Sequence, residues 1–392
     1  MFSLQPLARL IERMHEAAKP LYTPPAPPPT LPTLPVELLE AIVSFAAPPT
    51  FASPSAYRER QKLLYALCLS SRQFYVVAQP RLPSVFEIAS WQDVYYLERE
   101  QHRGLWDKVE VLAVTQAPWG VDEDANLREV LPFFPAVKDL RIWRCEGVDL
   151  RWLEALPNLE HLSVSASRLR LHGLLPRFPR LRQLSLDSTR LSSTQLAAIL
   201  DPACTPRLAA LALRCQIPPP PSYLSRLELL SLDAADRSTV AILPSIYTIC
   251  PVVLSVNLET GSPSFPPPLT GDPPHLRLYL DGRPPDYSSP SDDDEPLSDE
   301  DILWATYPPL LGHVNRHLWA LKRRRATYAS ISVPIAIEPL LDEIPFAEQL
   351  LSECEALDIP VRWAEDYVEE WTSLVPQGLW AEVQAKKARA VD

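Results

Sequence analysis

The chain of 392 residues is 46% hydrophobic and 22% charged, a composition typical of a folded protein whose length suits about two domains. Its formal net charge of −12 disfavours broad binding to nucleic acid, because an acidic chain repels the phosphate backbone. No apolar run approaches the roughly 18 residues of a membrane span, so the sequence predicts no membrane insertion.

An amphipathic helix is predicted over residues 1–19, because Leu4, Leu7 and Ile11 fall on one helical face. The acidic residues of this segment are unusual in a transit peptide, and it lacks the long apolar core of a secretory signal. Residues 20–33 contain the run PPAPPPT, which predicts a stiff, extended linker. We therefore expect the protein in the cytoplasm, in the nucleus or in both.

Three short helices are predicted over residues 34–82. The first begins near Pro35, which suits a first helical turn, and ends at a pair of prolines. The second spans about Tyr57 to Leu69, and Ser70 or Ser71 can cap the third. So small a bundle cannot hide all of its apolar side chains, and the surplus is expected to pack on a partner or on the next domain.

The same region resembles an F-box. In that family, leucine-proline-x-glutamate opens an apolar helix, and a later leucine-rich helix runs into serine-arginine-x-aromatic. Here LPTLPVELLEAIVSF is followed by LLYALCLSSRQFYVVAQPRL, although the joint between the first two helices is longer than usual in the family. The positions that match are Leu34, Pro35, Glu37, Leu38, Leu39, Ile42, Leu64, Leu67, Leu69, Ser71, Arg72, Phe74 and Tyr75.

The resemblance implies that this small module docks to the Skp-type adaptor of a cullin-RING ubiquitin ligase. A second domain would then hold the protein that is to be modified. Each apolar side chain of the module could equally belong to its own core. The residues expected to face the adaptor are Leu34, Pro35, Leu38, Leu39, Ile42, Leu64 and Leu67.

Residues 83–260 contain a repeated pattern of leucine-rich-repeat type. The segments VKDLRIWRC, LEHLSVSAS and LRQLSLDST begin at Val137, Leu159 and Leu181, and each has apolar residues at its first, fourth and sixth positions. Weaker copies begin at Trp106, Leu208, Leu227 and Val253. A proline lies two residues before most of these starts, where it ends the preceding turn and directs the chain into a strand. The period therefore predicts an irregular solenoid with a parallel sheet.

Alternate residues of each predicted strand should point away from the stack and form a concave surface for a target protein. The middle position of most strands is small, which would leave room for a ligand chain. Trp143 and Arg141 are the expected anchors, because tryptophan and arginine dominate interface energetics. The alternative for any one position is that it simply faces water. The predicted target-binding residues are Asp139, Arg141, Trp143, His161, Gln183, Asp187, Arg214 and Asp233.

The end of the chain departs from the repeats. Residues 261–300 include the acidic run SSPSDDDEPLSDED, which predicts a disordered loop in which Ser291 and Ser298 could accept phosphate. Residues 301–392 are expected to form an α/β cap that closes the open end of the stack, because that end would otherwise expose apolar surface. Within it the pattern predicts a helix from about Leu310 to Arg324, a strand from Ile331, an amphipathic helix from Phe346 and a closing strand from Val361.

The sequence carries no recognisable catalytic or cofactor motif. Nine scattered glycines cannot form a phosphate-binding glycine loop, and six cysteines without a CxxC pair favour buried, reduced thiols. His313 and His317 could share a helical face, but without a third ligand nearby two structural histidines are the favoured interpretation. The basic run at 322–325 suits a helix C-terminus or, alternatively, a nuclear address or an anion contact.

Together these patterns predict an α/β protein with a three-helix module and a leucine-rich-repeat array. The favoured function is a non-catalytic substrate receptor of an SCF-type (cullin-RING) ubiquitin ligase, with a Skp-type adaptor and an unknown target as partners. The alternatives are a repeat scaffold with no ubiquitin role, or an enzyme whose motif is not recognisable. No cofactor, metal, nucleic acid or membrane is expected.

Overall fold

The protein is an α/β structure with a large parallel sheet, as the sequence predicts, and the described residues contribute 11 strands to it. The predicted helix at 1–19, the linker at 20–33, and the acidic run with Ser291 and Ser298 lie outside the residues that the structure describes. The computed structural model describes residues 34–47, 54–88, 93, 106–115, 128–145, 148–166, 169–170, 175–188, 191–214, 219, 221–233, 250–256, 265, 276–280, 299–324, 328–334, 337–338, 341–364 and 377–391.

The three predicted helices of residues 34–82 are present. They are α1 (Val36–Ala46), α2 (Pro54–Ser70) and α3 (Arg72–Ala78), followed by a turn of 3₁₀ helix over Gln79–Arg81. Ser71 caps α3, since its hydroxyl accepts a hydrogen bond from the backbone N–H of Phe74 at 3.2 Å. The core of this helical module consists of Leu39, Val43, Ala47, Leu64, Cys68, Val77 and Ala78.

Helix α2 is tied to the segment that leads into the sheet. Arg60 is only 6% exposed, and its Nη2 donates to the carbonyl of Arg81 at 3.4 Å and to Oγ of Ser84 at 3.3 Å. The neighbouring Gln61 donates from Nε2 to the carbonyl of Leu82 at 3.2 Å. These bonds hold the helical module against the start of the first strand.

The main sheet contains every strand that the repeat pattern predicts, paired in parallel in chain order. A separate pair of short strands, β4 (Val148–Asp149) and β6 (Leu169–Arg170), lies beside it. The strands of the main sheet are β1 (Val85–Ile88), β2 (Val111–Thr115), β3 (Asp139–Cys145), β5 (His161–Ala166), β7 (Gln183–Ser188), β8 (Ala210–Arg214), β9 (Leu229–Asp233), β10 (Val252–Val256), β11 (Leu276–Leu280), β12 (Ser330–Pro334) and β13 (Val361–Ala364).

The register aligns equivalent positions of successive repeats. Leu140 of β3 lies beside Leu162 of β5, which in turn lies beside Leu184 of β7. All three are buried in one continuous core on one face of the sheet. Because side chains alternate along a strand, this alignment also collects the intervening residues on the opposite face, which we call the front face. It comprises the two rows of paired residues that begin at Asp139 and Arg141, together with Trp143 of β3 and the row of Ser165, Asp187 and Arg214.

The turns before β3, β5, β7 and β8 share one geometry. A buried residue precedes proline, and its carbonyl accepts a hydrogen bond from the N–H three residues later, as in the bond from Val137 to Phe134 at 3.2 Å. Proline suits the second position of such a turn because its φ is already close to the required value. The other turns of this kind begin at Leu156, Phe178 and Thr205. The predicted proline signal therefore marks a structural unit that recurs with the strands.

The C-terminal region continues the sheet and adds helices. β11, β12 and β13 pair in parallel after β10, and α6 (Asp299–Arg324) packs its residues Tyr307, Leu310 and Leu311 into the main core. The helix starts at Asp299 and not at the predicted Leu310. The free energy gained by burying these side chains outweighs the cost of the two prolines inside the helix.

Two more 3₁₀ helices lie at Leu131–Phe133 and Leu150–Ala155, before β3 and β5. Four further α-helices are present among the described residues. They are α4 (Ser193–Leu200), α5 (Pro221–Leu224), α7 (Ala347–Ala356) and α8 (Gln377–Val391). Helix α8 has no counterpart among the predicted elements. None of the described helices combines the length and the apolar character that crossing a membrane requires.

Truncation of a core leucine should destabilise the protein far more than loss of a surface ion pair. Leu140→Ala is expected to lower the free energy of unfolding by about 3 kcal/mol, because Leu140 is fully buried and its removal leaves a cavity. Lys138→Ala, which removes a half-exposed pair with Glu110 at 2.7 Å, should cost less than about 1 kcal/mol. Urea denaturation of both variants measures the difference, and equal losses would contradict the assigned strand orientation.

Candidate binding surfaces

Helix α1 carries apolar side chains on two sides. Leu39 and Val43 pack into the core of the helical module. Leu38, Ile42 and Phe45 lie on another side and are 52%, 42% and 92% exposed. Their spacing of four and then three residues places them on one stripe of the helix. We call these three residues the α1 stripe.

The predicted adaptor-facing residues divide between surface and core. Leu34, Pro35, Leu38 and Ile42 are exposed, and Leu67 is half-buried against the module core. Leu39 and Leu64 are buried in that core, so the expectation that they face a partner is wrong for this arrangement. For Leu39 the reason is geometric: it follows the exposed Leu38 directly, and adjacent residues of a helix point about 100° apart.

Further apolar side chains of the module are exposed that the sequence reasoning missed. Phe45 could have been found, since it continues the spacing of Leu38 and Ile42 by three residues. The other three do not continue this spacing: Val36 begins α1, Leu69 lies near the end of α2 and Val76 lies within α3. These additional exposed residues are Val36, Phe45, Leu69 and Val76.

The front face of β3 carries an ion pair and an indole. Arg141 contacts Asp139 through Nη2 and Oδ2 at 2.8 Å and through Nε at 3.2 Å, and both side chains are largely buried. Trp143 lies further along the strand and is half-buried. Its indole N–H is buried, and no described residue accepts a hydrogen bond from it. The predicted anchors therefore lie together, but Arg141 is engaged by its own strand.

A polar network continues across the next strands. The Ser165 hydroxyl lies 3.3 Å from Oδ2 of Asp187, and Nη1 of Arg214 lies 3.7 Å from the same oxygen. These residues form one row, because Ser165 pairs with Asp187 and Asp187 pairs with Arg214 in the sheet register. The predicted Asp187 and Arg214 are thus neighbours, as their common repeat position implies.

His161 lies between Asp139 of β3 and Gln183 of β7. Burial lowers the pKa of His161, and the nearby Arg141 lowers it further, whereas Asp139 acts in the opposite direction. The imidazole is therefore mainly neutral near pH 7. Gln183 itself is buried, so its expected role in contacting a target is wrong for this arrangement. The side chain of Asp233 lies outside the described residues.

The middle of the front face is covered by helix α8. Trp380 is only 8% exposed and packs against the front-face residues of the neighbouring strands. Gln384 donates from Nε2 to Oε2 of Glu228 at 2.6 Å and accepts from Nη2 of Arg182 at 3.3 Å. Lys387 forms an ion pair with Glu228. The expected open surface is thus partly filled by the chain itself. The residues that form one buried cluster with Trp380 are Ala209, Ala210, Ala212, Leu229 and Val253.

The two histidines of α6 have separate surroundings. Nδ1 of His313 lies 3.1 Å from Nη2 of Arg316. Nε2 of His317 lies 2.6 Å from the hydroxyl of Tyr328, and its ring stacks on Phe265 with centroids 4.2 Å apart. Among the described residues, histidine, cysteine and acidic side chains form no cluster of three that could hold a metal ion. The neighbours of the two histidines are thus an arginine for His313, and a tyrosine and a phenylalanine for His317.

Buried cysteines in the core are held in the thiol form. Burial raises the pKa of Cys204 and Cys250 to about 11, and burial together with the nearby Glu353 raises that of Cys354 to about 12. Since the thiolate is the reactive form, these three side chains are unreactive near pH 7.

Two surfaces of the described chain stand out as possible contact sites: the α1 stripe and the front face of the sheet. Comparison of the sequence with models of protein families and with curated proteins found no match. The geometry and chemistry of these two surfaces are therefore the basis for assigning a function.

Stability should depend on the protonation of His317. Burial lowers the pKa of His317 to about 4, whereas an exposed histidine in the unfolded chain titrates near 6.5. Between these values the unfolded state binds more protons, so the stability contributed by neutral His317 is present above pH 6.5 and lost as the pH falls through about 4. His317→Phe should remove up to about 3 kcal/mol of this pH dependence.

Urea denaturation at several pH values between these limits measures the effect as a slope of unfolding free energy against pH. His313→Phe is the matched control, since His313 is less enclosed and should change the slope much less. A wild type and a His317→Phe variant with the same slope would show that His317 does not titrate as its burial requires.

Proposed function

We propose that this protein is a substrate-recognition subunit of an SCF-type (cullin-RING) ubiquitin ligase. Helix α1 docks to the Skp-type adaptor, and the front face of the sheet binds the target. The observation that carries the proposal is the α1 stripe, which remains exposed while Leu39 and Val43 of the same helix are packed in the module core.

The exposed stripe is costly unless a partner covers it. Burying a large apolar side chain is worth about 1.5–3 kcal/mol, so three such residues on one helix are a strong attraction for an apolar surface. Contiguous exposed apolar groups of this kind mark protein–protein contact sites. All three residues of the stripe belong to the segment LPTLPVELLEAIVSF that resembles an F-box.

The repeat pattern supports the second part of the proposal. Strands β3, β5 and β7 follow the 22-residue spacing of the LxxLxL segments, and their equivalent positions align in the sheet. This is the arrangement expected of leucine-rich repeats, which stack short strands into an extended binding surface. We infer an irregular leucine-rich-repeat solenoid whose front face carries the polar row of Ser165, Asp187 and Arg214.

Such a subunit needs no catalytic group of its own. It works by holding a target lysine near the charged ubiquitin carrier, which raises the effective concentration of the two reactants. This requires a fixed geometry between the adaptor-binding and target-binding surfaces. The bonds from Arg60 to Arg81 and Ser84 support that requirement, because they join the helical module to the start of the sheet.

A repeat scaffold without a ubiquitin role is the second candidate. It is favoured by the burial of Leu39 and Leu64, which reduces the number of apolar residues of the F-box-like segment that can reach an adaptor. This candidate predicts no binding to a Skp-type adaptor, but a stable partner on the front face.

Charges on the α1 stripe should abolish adaptor binding without unfolding the protein. The double variant Leu38→Asp and Ile42→Asp is expected to weaken binding to a purified Skp-type adaptor at least about a hundredfold, because two buried interface anchors are replaced by desolvated charges. Since both side chains are exposed in the isolated chain, the thermal midpoint should stay close to that of the wild type. Isothermal titration calorimetry and thermal denaturation measure the two quantities.

Glu40→Lys is the matched control, because Glu40 is exposed on the same helix but away from the stripe. It should retain wild-type affinity. Retained binding by the double variant would reject the α1 stripe as the docking surface. If the wild-type chain does not bind the adaptor at all, the ligase function is rejected and the scaffold remains.

A further inference from the structure

The front face at β8 and β9 contains a depression that accepts an indole. Ala210 lies beside Leu229, and Ala212 lies beside Ser231, so three of these four neighbouring front-face positions carry small side chains. Small residues let another element approach the backbone closely. Trp380 of α8 fills this space and is almost fully buried there.

The edge of the depression carries charges that complement a polar helix face. Glu228 lies immediately before β9, and Arg182 lies immediately before β7. Gln384 contacts both, and Lys387 pairs with Glu228. Burial tends to raise the pKa of Glu228, but the hydrogen bonds from Lys387 and Gln384 outweigh it, so the pKa is lowered and the carboxylate stays ionised.

The contacts of α8 follow one helical stripe. Trp380, Gln384 and Lys387 are separated by four and then three residues, and Val383 between them is half-buried. The residues of α8 that contact the front face therefore follow a simple pattern: an indole, then an amide one turn later and a base after a second turn. An amphipathic helix laid into a groove is a common mode of peptide recognition.

Helix α8 is held by few side chains. Of its described side chains only Trp380 is buried, and Ala381, Ala385 and Arg389 are exposed. A helix of 15 residues is marginal by itself in water, and this one also contains Gly378. The attachment of α8 to the front face therefore depends on one indole and on polar contacts with Glu228 and Arg182 at the edge of the depression. A competing helix could make the same contacts.

We propose that this part of the front face is a receptor for amphipathic target helices of the form Trp-x₃-Gln-x₂-Lys, and that α8 is a resident occupant that such a target displaces. The acidic Glu228 on the rim selects a basic partner segment rather than an acidic one. The proposal rests on the front face being the target surface, and it is independent of whether α1 docks to a ligase adaptor.

Tethering explains why the resident helix occupies the site in the free protein. A segment attached to the same chain reaches an effective concentration of roughly millimolar, so a free competitor must be either concentrated or tighter. Variants that weaken the attachment of α8 should increase the fraction of molecules in which the site is open. The apparent affinity for a competitor should rise by the same factor.

The test uses the full chain and a fluorescent peptide with the sequence of residues 377–391. Its fluorescence anisotropy should show weak binding to the wild type. Binding to the variant Trp380→Ala should be tighter by about tenfold or more, because the resident helix has lost its anchor. Lys387→Glu is a second variant that loosens α8 without touching the core, and it should also bind the peptide more tightly. Equal affinity of the wild type and both variants overturns the proposal.

A charge reversal tests whether the peptide occupies the assigned site. Adding Glu228→Lys to the Trp380→Ala variant should weaken binding of the original peptide about tenfold or more, and a peptide with Lys387→Glu should restore it. No rescue by the charge-reversed peptide would place binding elsewhere and reject the receptor.

A second copy of the chain is the alternative occupant. If α8 exchanged between two copies, light scattering would show a wild-type dimer that dissociates on Trp380→Ala, and that outcome would replace the target helix with a partner subunit. A monomeric wild type supports the proposal. Adaptor titrations are separate from all of these measurements, so the receptor and the ligase function can fail independently.

Discussion

Parallel pairing of equivalent strand positions is the constraint on which the rest of the structure depends. Once Leu140, Leu162 and Leu184 are aligned in one buried column, the alternation of side chains leaves no choice for the residues between them. Asp139 and His161 must lie on the front face, and so must Arg141 and Ser163. The polar network of the front face is therefore a consequence of how the apolar residues pack.

The same constraint explains why helix α8 settles where it does. On β3 the front face carries an ion pair, whereas on β8 the same positions are alanines. An indole gains little from contact with the ion pair, whereas contact with the alanines removes its apolar surface from water. The variation along the columns thus divides the front face into a polar part near β3 and an apolar part near β8.

The sequence predicts the repeating part of the fold well because its signal is local. The LxxLxL segments and the preceding prolines act within a few residues, and they mark β3, β5 and β7 together with their turns. Helix α8 could not be found in this way, since its partners Arg182 and Glu228 are distant in the sequence. Its contact stripe also mixes an indole, an amide and a base, which no apolar period reveals. For α1, the pattern identifies the apolar residues but not which of Leu38 and Leu39 faces the core, because both sides of the helix are apolar.

The two surfaces differ in whether the free protein covers them with its own chain. The α1 stripe is left exposed, although covering three apolar side chains would stabilise the chain. The apolar part of the front face is covered by the chain's own helix through one indole and an ion pair. An uncovered surface binds its partner without an internal competitor, whereas a covered one binds only what exceeds the tethered helix in affinity. If the α1 stripe docks to a common adaptor and the front face selects targets, discrimination between target proteins takes place at the front face. A weak or mismatched segment cannot displace Trp380 there.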